Sequence, residues 1–215
     1  PTRRLLEILG QLRDAFPDFQ RVSSYCLPRN LAKKSVQELA QLKDAGLQIL
    51  YIGMESGDDE VLRRVNKGET WESTRSALLK IREAGLTSSV MVLNGLGGES
   101  LSRQHAINTA TLCNETQPDY LSTLVVSFPQ GEERFREGFG DDFVPLSQQG
   151  LFEEIRLFLE QLELEKTIFR SDHASNYLVL KGTLGRDKQK MLDQVNLAIT
   201  NPGAAPLRAE WMRGL

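Results

Sequence analysis

The sequence predicts an α/β fold in which parallel strands follow one another in chain order, each coupled to a helix. Three observations predict it. First, "LKDAGLQILYIGMES" and "IREAGLTSSVMVLNG" share one plan, a helix end running through acid-Ala-Gly-Leu into an apolar strand and a small-residue loop. A weaker copy lies at "ETQPDYLSTLVVSFP". Recurring helix-glycine-strand units are what successive βα units produce, in a barrel or in an open parallel sheet. Second, "LQILYIGM" is apolar almost throughout, the pattern of a parallel strand covered on both faces. Third, 215 residues with 40% hydrophobic and 26% charged content suffice for a large core without metals or disulfides.

The elements follow in order. "PTRRLLEILGQLRDAFPDF" reads as a helix with Leu5, Ile8, Leu9, Leu12 and Phe16 on one face, Thr2 as its cap and Pro17 as its stop. "RVSSYCL" is a strand, followed by a Pro-Arg-Asn turn and the helix "SVQELAQLKDAG", with Val36, Leu39 and Leu42 inward and Gly46 just past its end. After the strand "LQILYIGM" come a short helix, "DDEVLRRVN", and a longer one, "WESTRSALLKIREAG", stopped by Gly85. The strand "LTSSVMVLNGL", the helix "ESLSRQHAINTATLCNET" and the strand "DYLSTLVVSFP" continue the alternation. "PQGEERFREGFGDDFVPLSQQG" has the glycines, acids and proline of an exposed loop. The helix "SQQGLFEEIRLFLEQLEL", with Ser147 as N-cap, leads to "KTIFRSDHASNYLVLKGTL", which begins as a strand. A last helix, "RDKQKMLDQVNLAI", completes a single unit over 1–200, and 201–215 reads as a surface tail.

Composition weighs on several classes. A net charge of -3 gives no electrostatic case for a nucleic-acid partner. No apolar run approaches the ~18 residues of a membrane span, and the first residues lack the apolar segment and cleavage site of a signal peptide. Cys26 and Cys113 lie far apart without paired spacing, as suits a reducing, cytoplasmic location.

In parallel α/β sheets ligands sit beyond the carboxyl ends of the strands, which selects the loops after "RVSSYCL", "YIGME", "VMVLNG" and "TLVVSF". Glu55 stands at one such end, where a carboxylate can accept both hydroxyls of a ribose diol. It could equally cap the next helix, although Asp58 is the better cap. Lys67 could grip an anion or simply satisfy the end of a helix before Gly68, and Arg63 and Arg64 read as solvated. "NGLGGES" offers glycines for close backbone approach, yet it matches neither GxGxxG nor a P-loop. "SDHASN" reads as a turn whose side chains bond the backbone. His105 and His173 with two unclustered cysteines make no zinc site of recognisable spacing.

Together, "GLQILYIGMESGDDEVLRRVNKG", "VMVLNGLGGES" and "FRSDHASNYLVLKGTLGRD" resemble radical S-adenosylmethionine (radical SAM) enzymes. The resemblance is to the group near the elongator-protein-3, tRNA methylthiotransferase and oxygen-independent coproporphyrinogen oxidase families. It covers nearly the whole chain, and the first motif is the most specific. It implies a partial TIM-type (β/α) barrel of consecutive parallel strands, truncated at the N-terminus. It also implies S-adenosylmethionine as cofactor. Glu55, with Ser56 beside it, would hold the ribose hydroxyls, and Lys67 would face the methionine carboxylate. Tyr25 would supply a polar contact from the preceding strand, with Leu96, Gly97 and Phe128 beside the adenine.

One feature of the family is missing. Its Cys-x3-Cys-x2-Cys loop, which binds a [4Fe-4S] cluster, does not occur in this sequence. The expectation is therefore a C-terminal portion of a longer radical SAM enzyme, inert alone, whose cluster ligands lie in an N-terminal part of the same chain. The parent would reduce S-adenosylmethionine to a 5′-deoxyadenosyl radical acting on a small molecule or an RNA. An exposed sheet edge would favour self-association. Two readings compete: a conventional βα-barrel lyase or aldolase-type enzyme using Glu55, and a non-catalytic domain that docks a partner.

Overall fold

A computed structural model describes residues 1–128 and 131–213. Its strands are β1 (Val22–Cys26), β2 (Leu47–Glu55), β3 (Thr87–Asn94), β4 (Tyr120–Val125), β5 (Ile168–Ser171) and β6 (Leu180–Thr183). They form one sheet whose spatial order equals their chain order. The pairs from β1 to β5 are parallel, and β6 returns antiparallel to β5. The sheet is not closed: β1 and β6 are its two edges. This is the partial barrel expected, with one correction, since the sequence reading contained no final antiparallel strand.

The helices are α1 (Thr2–Ala15), α2 (Pro28–Ala32), α3 (Val36–Asp44), α4 (Asp59–Arg64), α5 (Trp71–Glu83), α6 (Gly98–Thr116), α7 (Glu133–Phe139), α8 (Gln148–Gln161) and α9 (Leu184–Thr200). Ile52, Val90, Leu121 and Phe169 from successive strands are fully buried in one core with Leu78 and Ile81 of α5, Leu112 of α6, Leu159 of α8 and Met191 of α9. Alternate strand residues face the other way. Tyr51, Gly53, Ser89, Met91 and Leu93 are only half-buried, so the expected cover on both faces of β2 is met on one face only.

Local chemistry explains most boundaries. Ser35, Thr70 and Ser147 cap α3, α5 and α8 by accepting from the backbone N–H three residues on. After α5, Gly85 at φ 70° lets Leu86 N–H reach Ile81 O at 3.0 Å, which closes the helix. Thr2 does not cap α1. It lies inside the helix, whose first N–H groups face Pro1, and its hydroxyl instead accepts from Lys34 Nζ at 3.0 Å. The Pro-Arg-Asn turn is α2, with Pro28 at its start and Asn30 accepting from Leu27 N–H at 2.8 Å.

The segment read as a loop after β4 contains α7. Phe135 and Phe139 lie one turn apart on it and pack with Phe128 and Phe143, and ring centroids are 4.6–4.8 Å apart for three of these pairs. That aromatic cluster, assembled from segments either side of α7, supports the helix more than its own propensity does. The described part of the tail docks on the β5–β6 connection. Arg213 lies 3.5 Å from the Tyr177 ring centroid and donates to Ser175 O at 2.9 Å. Arg208 donates to the carbonyls of Asp172 and His173. The "SDHASN" turn is self-bonded as expected, with Ser175 N–H reaching His173 Nδ1 at 3.1 Å.

Candidate functional site

The site grows from an irregularity at the end of β2. Gly53 pairs with Met91 of β3, but Glu55 pairs with Val92, so Met54 is an extra residue on β2. Glu55 itself adopts φ 60°, a left-handed conformation that a non-glycine residue rarely takes, and Ser56 N–H turns back to Met54 O at 2.7 Å. The combined effect is to fold the Glu55 side chain back along its own strand. Its carboxylate lies over Gly53, where any Cβ would collide with Glu55 Oε1. There Oε1 accepts from Lys67 Nζ at 2.9 Å, and the two side chains are 20% and 18% exposed.

Lys67 is delivered by the end of α4. Asn66 takes the left-handed position at φ 52°, and the N–H of Lys67 returns to Leu62 O at 3.0 Å. Asn66 therefore makes the stop that the sequence assigned to Gly68. At the other end Asp58 caps the helix as expected, accepting from Val61 N–H at 2.9 Å. Asp58 is buried and also accepts from Gln104 Nε2 and Asn108 Nδ2 of α6, at 3.1 and 2.6 Å. Arg64 is not solvated: it bridges Glu60 and Asp142 at 2.7 and 3.0 Å and sits 5.1 Å from the Phe139 ring centroid. Arg63 and Arg64 together hold the Glu60 carboxyl down to about 2.

The remaining predicted residues occupy four settings. Tyr25, on edge strand β1, is 74% exposed and tilts over Tyr51 with centroids 5.1 Å apart, so it extends the open face beside Glu55. Leu96 and Gly97 lie in the buried turn between β3 and α6, where Gly95 and Gly98 have φ of 82° and 57°. Phe128, beyond β4, belongs to the aromatic cluster. Ser56 is fully buried, and its hydroxyl meets His105 of α6 at 2.8 Å instead of the open face. The structure thus joins Glu55 and Lys67 directly and brings the other strand ends alongside them.

Sequence reasoning passed over two residues here. Gly53 could have been noticed as the glycine two positions before the strand-end acid. Arg29 reaches the same corner from α2, its Nε 3.6 Å from buried Glu69, and its guanidinium lies against Gly68 beside Lys67. Only the fold reveals that proximity.

Residues 3–110, half of the chain, match the Radical SAM superfamily. The chain belongs to that superfamily. Among curated proteins, this radical SAM chain is 24% identical over 110 residues to the heme chaperone HemW of Bacillus subtilis (strain 168), covering 50% of this chain and 28% of HemW. Its fold is similar to that of the coproporphyrinogen III oxidase HemN of Escherichia coli, with a TM-score of 0.59, 22% identity, and coverage of 75% of this chain and 37% of HemN. It is also similar to the Elp3 of Methanocaldococcus infernus, with a TM-score of 0.58, 17% identity, and coverage of 82% and 42%. The radical SAM chain thus spans less than half the length of each of these relatives.

The cofactors of the superfamily are S-adenosylmethionine and a [4Fe-4S] cluster, and the residues present fit them unequally. The end of β2, with the Glu55 carboxylate and the Lys67 ammonium side by side over Gly53, has the donor and acceptor set for a zwitterionic nucleoside. The cluster does not fit. Among the described residues no group of three His, Cys, Asp or Glu is placed to hold a metal, and Cys113 is fully buried with its thiol pushed up to about 12 by desolvation. No helix of the described residues is long and apolar enough to cross a membrane.

Proposed function

We propose that this chain forms the adenosine-side wall of a radical SAM active site. Glu55 receives the ribose hydroxyls of S-adenosylmethionine and Lys67 its carboxylate, the ligand parting an ion pair that holds both groups ready. Tyr25 closes the crevice on the β1 side, and the turn holding Leu96 and Gly97, together with Phe128, lines the adenine side. The observation that carries the reading is the bulged, left-handed Glu55 held over Gly53. Backbone strain of this kind persists where the surroundings enforce it, and it clusters at ligand sites.

The cluster and the reductive cleavage that it supports belong to polypeptide outside these residues, so the chain alone is inert in that reaction. The β1 edge is the surface on which an N-terminal part carrying the cluster loop adds its strands. In its absence, the same edge pairs with a second copy. A small molecule or an RNA is the substrate of the whole enzyme, and the setting is the cytoplasm.

S-adenosylhomocysteine, which keeps the diol and carboxylate but cannot be cleaved to the radical, is the direct probe. Calorimetry should show weak binding by the 215-residue chain. Glu55→Gln and Lys67→Met should each weaken it about tenfold, the loss of one charge-assisted hydrogen bond. Binding equally strong in both variants would remove the reading.

A further inference from the structure

The two turns assigned to the cofactor are joined by a buried polar path that touches neither the open face nor any ligand position. It begins at Ser56, next to Glu55. Ser56 Oγ accepts from Asp58 N–H at 2.9 Å and is hydrogen-bonded to His105 Nδ1 at 2.8 Å. His105 Nε2 faces Glu154 Oε1 of α8 at 4.0 Å, beyond hydrogen-bond reach, so the bonded link from the His105 helix to Glu154 runs through Ser102 of α6. Glu154 completes the path: Oε1 accepts from Gly95 N–H and Oε2 from Ser102 Oγ–H, each at 2.6 Å. Gly95 opens the turn that holds Leu96 and Gly97.

Ser56, His105 and Glu154 are 0%, 2% and 4% exposed. Glu154 has no Lys or Arg within ion-pair distance among the described residues. A carboxylate at such a position is unfavourable unless its hydrogen bonds compensate, and leucine would pack there at no such cost. Its neighbours on α8, Leu151, Ile155 and Phe158, are buried apolar residues. The acid therefore acts specifically on the groups that it contacts, and those are the Gly95 turn and the helix carrying His105.

We propose that His105 and Glu154 are positioning residues that lock the Glu55 turn to the Gly95 turn, so that the two loops at the ends of β2 and β3 keep a single relative placement. The proposal rests on the cofactor reading for what the turns hold, but not for their being locked. A rigid pair of loops presents its contacts together, and a misplacement of about 1 Å is enough to lose much of the benefit of a prepared site.

Amide hydrogen exchange followed by NMR on the whole chain tests it from both ends. Asp58 N–H reports on the Glu55 turn and Gly95 N–H on the other. Glu154→Leu should speed exchange at Asp58, which it does not touch, and Ser56→Ala should speed exchange at Gly95, each by about tenfold, as loss of one such bond shifts a local opening. Glu154→Gln, which keeps an acceptor for Gly95 N–H, should restore most of the protection. The amides of Ile52, Val90 and Leu121 should be unchanged throughout. Acceleration confined to each variant's own turn would overturn the proposal, as would an equal acceleration in the core strands. Should Glu154→Leu fail to fold, Ser56→Ala, which removes one hydroxyl, decides the matter at Gly95. Transmitted changes in a chain that does not bind S-adenosylhomocysteine would cost the cofactor reading and leave the lock standing. Ligand binding without transmission would do the reverse.

Discussion

Glu55 is held in a backbone conformation that costs about 1 kcal/mol or more for a residue with a Cβ, and glycine would relieve it. Glu55→Gly should therefore be more stable than Glu55→Ala by about 1 kcal/mol in urea unfolding, while both lose S-adenosylhomocysteine binding. Equal stabilities would mean that the turn relaxes once the side chain is gone. Cys113 offers a second check at this scale. Burial raises its thiol to about 12, so the folded chain should leave it unalkylated at pH 8 and release it to iodoacetamide only on unfolding. Glu55 was legible in the sequence because the end of an apolar strand is a position that local pattern reveals. His105 and Glu154 were not, since their roles arise from contacts 49 and 59 residues away along the chain.

Among the elements, α4 shows how a short helix becomes an arm that delivers Lys67 to Glu55. With six residues it is too short to be stable by propensity, and its two ends define it: Asp58 at the start, Asn66 at the stop. Asp58→Ala would remove the cap and orphan the Gln104 and Asn108 amides, at a cost of about 2–3 kcal/mol measured by denaturant midpoint. α9 carries a pH-dependent end. Asp187 is held down to about 2, first by the hydrogen bond from Arg186 and then by that from Thr183 N–H. Because the folded value lies below the unfolded one, its contribution is complete above about pH 4 and is lost as pH falls toward 2. Amide exchange at Thr183 should rise across that window, and Asp187→Asn should abolish the dependence. The helix α7 was hidden for a different reason. Its glycines and acids read as a loop, and what holds it is an aromatic face completed by Phe128 and Phe143 from beyond its ends.

At the scale of the molecule, the order of the parallel strands was visible in the repeated helix-glycine-strand plan, whereas β6 was not. A four-residue strand after a self-bonded turn gives no periodicity to read. The sheet leaves β1 as an edge, with an apolar groove of about 640 Å³ between it, α1 and α3, and Leu5 and Ile8 of α1 remain 40% and 42% exposed. Sedimentation velocity should show the chain associating with concentration, and Tyr25→Glu, a charge on that edge, should suppress it. A monomer at all concentrations would show that the edge is not a docking strand. The agreement between spatial and chain order has a further consequence for how the protein is made. Each strand leaving the ribosome meets an edge formed by its predecessor, and none must insert between two strands already paired. The described strands can therefore join the sheet one after another in chain order during synthesis, with the antiparallel β6 following β5.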